Sequence, residues 1–378
     1  MSELARRNRK RLVDLLGASD LMVLATVPEH VFYCSGYKSM GYDTDRHMRM
    51  AVIFDSTHSI VIGPKADLWA AREVMGDGPD YFTYGTFFFG EHDKTRGATE
   101  FGTYGEALAA AIVRLAPGKR HLFYDRLPEI SALPGTLALQ DGSGTFRRSR
   151  AIKHSLEIDL MRKVSALTED ALARALAEAK AGMSEAELAA IMSSEIVTRG
   201  ALPGFIVVTA GERSAFADAY PTAKRLQAQG IVRIDIGCML DGYWSDTART
   251  AFVGEPRADA LLAFAATSAG QEAGRRLVRP GVSTDAIFNA AVAAVRQAGL
   301  PDYRRHHVGH GLGIESHEYP TISATNAVTL EPGMVFCIEA PYYRPGWGGV
   351  MTEDTLLVTE RGAEYFTRLP REPYIIPA

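Results

Sequence analysis

Cysteine is scarce in this chain: three among 378 residues, Cys34, Cys238 and Cys337, odd in number and far apart. No disulfide framework and no C-x-x-C metal or redox motif can be built from them. An excess of one charge is missing too. The 41 basic and 45 acidic residues nearly cancel and no extended basic run exists, so nucleic acid and anionic membrane surfaces are not expected partners. No apolar run approaches the roughly 20 residues of a membrane span. The opening MSELARRNRKRL lacks the apolar core of a secretory leader and reads as a basic amphipathic helix. A cytoplasmic protein is expected. Internal repeats and low-complexity segments are absent as well. What remains is a globular composition, 47% hydrophobic, long enough for two cores.

Residues 1–150 alternate between the two periodicities. Helical patterns at 5–16, 65–74 and 103–115 interleave with strand patterns at 21–26, 50–54, 59–62 and 121–124, which predicts a small α/β domain. The turn-forming, then charged stretch 140–150 (QDGSGTFRRSR) is read as the linker. Residues 151–378 begin with a long Ala- and Leu-rich helix at 158–180. A capping box follows, in which the Ser184 hydroxyl takes the N3 amide and Glu187 reaches back. Strands near 205–209 and 231–253, helices near 258–277 and 284–298, and a last group of strands complete the chain. That order suits an antiparallel sheet wrapped by helices, an α+β domain.

One spacing carries the most chemistry. In residues 234–250 (IDIGCMLDGYWSDTART), Val232, Ile234, Ile236 and Cys238 alternate as in a half-buried strand. Asp241-Gly242 favours a two-residue type I′ turn. The returning strand then sets Gly237 against Asp246 and Asp235 against Ala248. Asp235 and Asp246 share a face on that register, with Cβ atoms roughly 7–8 Å apart or somewhat less. Two carboxylates so placed repel unless a cation lies between them, and a pair of metal ions fits the gap. Solvated edge-strand carboxylates would read the same way.

The second half of the chain adds candidates. His310 lies in 306–318 (HHVGHGLGIESHE), Glu339 in the apolar run 333–340 (GMVFCIEA), and Glu353 in 348–358 (GGVMTEDTLLV). Taken singly each has an ordinary reading, a satisfied core histidine or a salt-bridged glutamate. A carboxylate in an apolar run is costly unless paired or metal-bound. Four carboxylates and one imidazole make a hard, oxygen-rich set that suits two divalent ions of the Mn, Fe, Co or Zn kind. Cys238 and Cys337 read as small apolar fillers of core strands.

These motifs carry a resemblance. From about residue 157 to 368 the chain resembles the pita-bread metallopeptidases: methionine aminopeptidase, aminopeptidase P, prolidase and their relative creatinase. Their ligands Asp, Asp, His, Glu and Glu, in that order, fall on Asp235, Asp246, His310, Glu339 and Glu353. The resemblance implies a pita-bread catalytic domain over 151–378 and a creatinase- or prolidase-like accessory domain over 1–150. The accessory part rests on residues 11–17 and on 32–37 (FYCSGY). It further implies hydrolysis of a peptide-like C–N bond in a small-molecule or short-peptide substrate by a hydroxide bridging two ions. In that scheme Glu339 also moves the proton and His317 donates to the forming oxyanion; His306 falls in the substrate region. A homodimer is implied, with the 41–48 loop (Tyr42, Asp45, Arg46, His47) reaching the partner's site.

The departures from the pattern matter. Asp218 stands where proline-specific members carry a histidine, and Met351 where an arginine is frequent. Both put classical Xaa-Pro cleavage in doubt. They point to a substrate with a positive group near Asp218 and little dependence on a free carboxylate; a turn-capping Asp218 is the ordinary alternative. A hydrolase or lyase of a cyclic amidine, amide or betaine-like compound therefore stays open beside the peptidase. A non-catalytic binding module would have no use for five buried polar groups.

Overall fold

The computed structural model describes residues 3–45, 47–89, 97–126, 135 and 137–378. Two compact units divide the chain, Met1–Arg150 and Ala151–Ala378. The first holds a seven-stranded mixed sheet. Its order is Thr99–Phe101, Asp80–Tyr84, Ser59–Pro64, Ala51–Phe54, Leu21–Ala25, His121–Tyr124, Ala138–Asp141. Leu108, Ala111, Ile112 and Leu115 are spaced to put one face of the Tyr104–Leu115 helix on Met22, Leu24, Ile53 and Ile62 of the sheet. Thr103 and Glu106 start that helix with a reciprocal capping box.

The stretch read as a linker is instead a helix, Ser143–Ala151. Its turn-formers lie at the helix start, and Phe146 is buried, stacked on His30 at 4.3 Å. The 41–48 loop includes a short helix, Met40–Thr44. Tyr42 donates its hydroxyl to the Thr26 carbonyl at 2.7 Å, within its own unit. Asp45 and His47 are exposed, and Arg46 lies outside the described residues.

The second unit is built on a ten-stranded sheet. Four neighbours at its centre are Ile231–Leu240, Thr247–Val253, Glu353–Thr359 and Val335–Glu339, and Gly309–Gly311 pairs with the last of these. Every pairing along this row is antiparallel. The Asp241-Gly242 turn has positive φ at both residues, 48° and 81°, as a type I′ turn requires. The expected register therefore holds, with Ala248 opposite Asp235. Between the paired stretches the Ser245 hydroxyl accepts the Cys238 amide at 3.0 Å, which leaves Asp246 outside the ladder but on the shared face. Helices Ser155–Glu178 and Glu185–Thr198 pack Leu172, Leu188 and Met192 on Val232, Ile234 and Ile236. Helices Ala258–Leu277 and Thr284–Gln297 belong to a second core, where Ile287 and Ala291 meet Phe336 and Ile338. No helix among the described residues is long and apolar enough to cross a membrane.

Candidate metal centre

Register alone brings the predicted residues together. Asp235 pairs with Ala248, Ala248 with Glu353, and Glu353 with Glu339. Paired residues on neighbouring strands point to one face, as do residues two apart on one strand. That face therefore carries Asp235, Glu353 and Glu339 in a row, with Asp246 beside Ala248. His310 joins from the next strand, opposite Cys337. Gly309 lets the two strands meet so closely: its φ is 152°, and a Cβ there would lie 2.1 Å from the Cys337 carbonyl oxygen.

Two glutamates directly opposite each other in an antiparallel pair repel. Burial makes this worse, since Asp246, Glu339 and Glu353 are each 5% exposed or less. Burial and the neighbouring carboxylates raise Asp246 and Glu353 well above the usual range. Burial lifts Glu339 to about 7 against the pull of Arg305, and lifts Asp235 to about 6 against that of Arg233. His310 is driven down to about 3 by burial, then by His317.

These groups fit divalent ions. Asp246 Oδ1 and Glu353 Oε1 are buried and have no hydrogen-bond partner, a state that costs about 1–3 kcal/mol per group or more when charged. The His310 ring bonds the Gly311 carbonyl through Nδ1 at 3.0 Å. A carbonyl only accepts, so Nδ1 carries the proton and the Nε2 lone pair is free. Nε2 lies 3.8 Å from both Asp246 and Glu353. Fixing the second nitrogen in this way is how metal-binding imidazoles are oriented. Candidate ligand atoms of Asp246, His310, Glu353 and Cys337 all lie within 4.8 Å of one another. Asp235 and Glu339 complete the face around this tighter set.

A cavity of about 880 Å³ opens on that face. His317 lines it, stacked on His310 at 3.8 Å between ring centres. His306 is an exposed part of the wall, edge-on to His307, and His307 Nδ1 lies 3.2 Å from Glu339 Oε1. Asp218 also lines the cavity and accepts no hydrogen bond among the described residues, so the turn-capping alternative is not what the structure shows. Its charge acts on His317, Asp235 and Glu339. Glu315 and Glu318 do not line the cavity. Glu318 pairs with buried Lys153 at 3.0 Å and accepts the Ile314 amide.

Three residues escaped the sequence reading. Arg233, fully buried in mid-strand, donates to the carbonyls of Ser214, Phe216 and Ala217 and reaches Asp235 at 3.3 Å. Glu185, also fully buried, accepts from the Ala210 and Thr222 amides. Between them they brace the segment that holds Asp218 at the cavity. Cys337, read as filler, belongs to the acidic cluster. The available signal for Arg233 and Cys337 was parity, since each stands two residues before a candidate ligand on the same strand.

Comparison with known proteins decides the family. Residues 159–360 match the model of metallopeptidase family M24. The chain belongs to that family. It is a metal-dependent hydrolase, and family membership implies use of divalent metal. A protein named as a probable dipeptidase PepE from Mycobacterium tuberculosis is 35% identical over 260 residues, 67% of this chain and 69% of that one. The Xaa-Pro dipeptidase of Pyrococcus furiosus is 34% identical over 225 residues, 59% of this chain and 65% of the relative. Among solved structures, dipeptidase PepE from Mycobacterium ulcerans superposes with a TM-score of 0.78 at 26% identity, covering 99% of this chain and 97% of that one. The X-Pro aminopeptidase of Thermotoga maritima gives 0.82 at 21% identity, over 97% and 99%. The M24 chain thus has the pita-bread fold, with its curled antiparallel sheet.

Proposed function

We propose that this M24 chain is a dinuclear hydrolase of short peptides, dipeptidase-like or Xaa-Pro-type. Asp235, Asp246, His310, Glu339 and Glu353 would hold two divalent ions drawn from Mn, Co, Fe and Zn. The observation that carries this is the Glu339–Glu353 register pair, buried beside Asp246 and His310 in the wall of the cavity. Peptide substrates are supported by the dipeptidase relatives. When bound, such ions would supply Lewis acidity, making a water nucleophilic near neutral pH and polarising a carbonyl. The side chains do the rest. Glu339 takes the proton released as the new C–O bond forms and passes it to the nitrogen as the C–N bond breaks. His317 donates to the carbonyl oxygen as that atom gains negative charge. Asp218 faces the substrate's ammonium, and His306 lines its path.

In this reading residues 151–378 are the catalytic domain, since every one of these side chains comes from that unit, and residues 1–150 are the accessory domain. The protein works as a homodimer. The test is turnover by Mn- or Co-loaded protein on a panel of dipeptides, Xaa-Pro included, set beside small amides and amidines. Hydrolysis of dipeptides is expected. Turnover confined to the non-peptide compounds would overturn the proposal in favour of the small-amide reading.

A further inference from the structure

The candidate ligands change in kind along the row of strands. Asp235 stands at one end, on Ile231–Leu240, and Asp246, Glu353 and Glu339 follow it with carboxylate oxygens. Nitrogen enters at the other end, with His310 on Gly309–Gly311. Directly opposite His310 lies Cys337, on Val335–Glu339. Cys337 is two residues before Glu339 and is paired with Thr355, which is two residues after Glu353. Parity therefore turns the thiol to the face that holds the acids.

Cys337 is fully buried. Its Sγ lies 3.5 Å from Thr355 Oγ1, and that hydroxyl gives its own proton to the Asp246 carbonyl at 2.6 Å. The thiol is then the donor to Thr355, and the sulfur lone pairs take no part in that bond. Ligand atoms of Cys337, Asp246, His310 and Glu353 lie within 4.8 Å of one another. That span is little more than twice a metal–ligand bond of roughly 2.0–2.3 Å, the limit for two atoms on one ion. Asp246 Oδ1 and Glu353 Oε1, buried without a hydrogen-bond partner, belong to the same group. Burial, then the charges of Asp246 and Glu353, keep the thiol protonated in metal-free protein. A divalent ion inverts that preference, because a coordinating thiol gives up its proton. The other two cysteines are placed elsewhere. Cys238 meets Thr168 and Ser245 in the helix-covered core, and Cys34 belongs to the first unit.

We propose that Cys337 is a metal ligand, its sulfur joining Asp246, His310 and Glu353 around the ion at the His310 end of the centre. The two ion positions then differ in kind. The His310 end, with nitrogen and sulfur, favours zinc, and the Asp235 end, where the candidate ligands supply oxygen alone, suits manganese. The inference rests on the metal centre of the reading above and not on its substrate. The competing role for Cys337 is a small hydrogen-bonded filler behind the ligands, and that role makes no distinction between metals.

The experiment titrates chelator-stripped, full-length protein with cobalt(II) and follows the absorption spectrum, with bound metal measured in parallel. Wild type is expected to develop a sulfur-to-cobalt charge-transfer band that saturates at one ion per chain, while the second ion adds none. Cys337→Ser should still bind cobalt and show none of the band. Its zinc affinity should fall by about tenfold or more, at least the loss seen when a group supporting a ligand is removed, and its manganese affinity by less than about threefold. Wild type that binds cobalt without the band would overturn the proposal and leave the five-ligand centre standing, and this result needs no variant to fold. A band that persists in Cys337→Ser, or equal losses for zinc and manganese, would also overturn it, because the sulfur would then not be the ligand. Wild type that binds no cobalt overturns the proposal and the metal centre together.

Discussion

Glu353→Gln should stabilise the metal-free protein while ruining its metal site. Glu353 is 2% exposed, faces Glu339 across an antiparallel pair and has Asp246 as a further like-charged neighbour. Directly opposed side chains have Cβ atoms about 5 Å apart. Two full charges at that distance repel by about 3 kcal/mol at an effective dielectric of 20. The protein escapes part of this by retaining a proton, so the gain from a neutral amide of the same shape is on the order of 1–2 kcal/mol. For a unit of this size that is a rise in Tm of about 2–8 °C. The assay is scanning calorimetry at pH 8 in chelator, repeated with metal. A ligand at a hundred times its Kd adds about 2.7 kcal/mol to a protein that binds it. Wild type should show that gain and Glu353→Gln little of it, so the order of stability reverses on loading. A variant less stable than wild type in chelator would refute the reasoning, because the carboxylate would then be at ease without metal.

Stability of the metal-free protein should also depend on pH with an unusual sign. Asp246, Glu353, Glu339 and buried Glu157, the last two raised to about 7, bind protons more tightly folded than unfolded. Their protonated forms favour folding, and that contribution is lost as pH rises through the folded values. The lowered histidines, His307 and His310, oppose this only below their unfolded value of about 6.5. Urea midpoints in chelator should therefore fall between pH 6.5 and 8, and a rising or flat profile would contradict the assignment. Asp218→Asn removes a charge and keeps the shape. KM for peptides with a free ammonium should rise about tenfold, with metal content unchanged and N-blocked substrates unaffected; equal KM values would remove Asp218 from binding. Light scattering should give a dimer mass, and a monomer with full activity would end the cross-subunit role of the 41–48 loop.

Much of the site was legible because its residues ride on short-range rules. Alternation in 231–240 and a turn dipeptide needing two positive φ values together set the Asp235–Ala248 register. Glu339 announced itself as an acid inside an apolar run. What no local rule contains is the pairing of Val335–Glu339 with Glu353–Thr359 and of the latter with the hairpin; family resemblance supplied only the set of ligands that these strands carry. Arg233 was passed over because a fully buried guanidinium is improbable until its partners are known, and those carbonyls lie 16 to 19 residues away. The helix Ser143–Ala151 was read as a linker because Gly142 and Gly144 weigh against helix in any propensity argument. Burial of Phe146 overrides them. The helix Pro28–Ser35 had its signals in plain view, a proline in its first turn and a left-handed Gly36 after it, but eight residues are too few for periodicity to speak.

Metal stoichiometry tests the central claim most directly. Protein stripped with chelator, reloaded with Mn or Co and freed of excess should carry two ions per chain by elemental analysis. Asp235→Ala should carry no more than one, and Glu353→Ala should lose at least one with its fold intact. A folded wild type that retains no ion at saturating metal would contradict the account at its root.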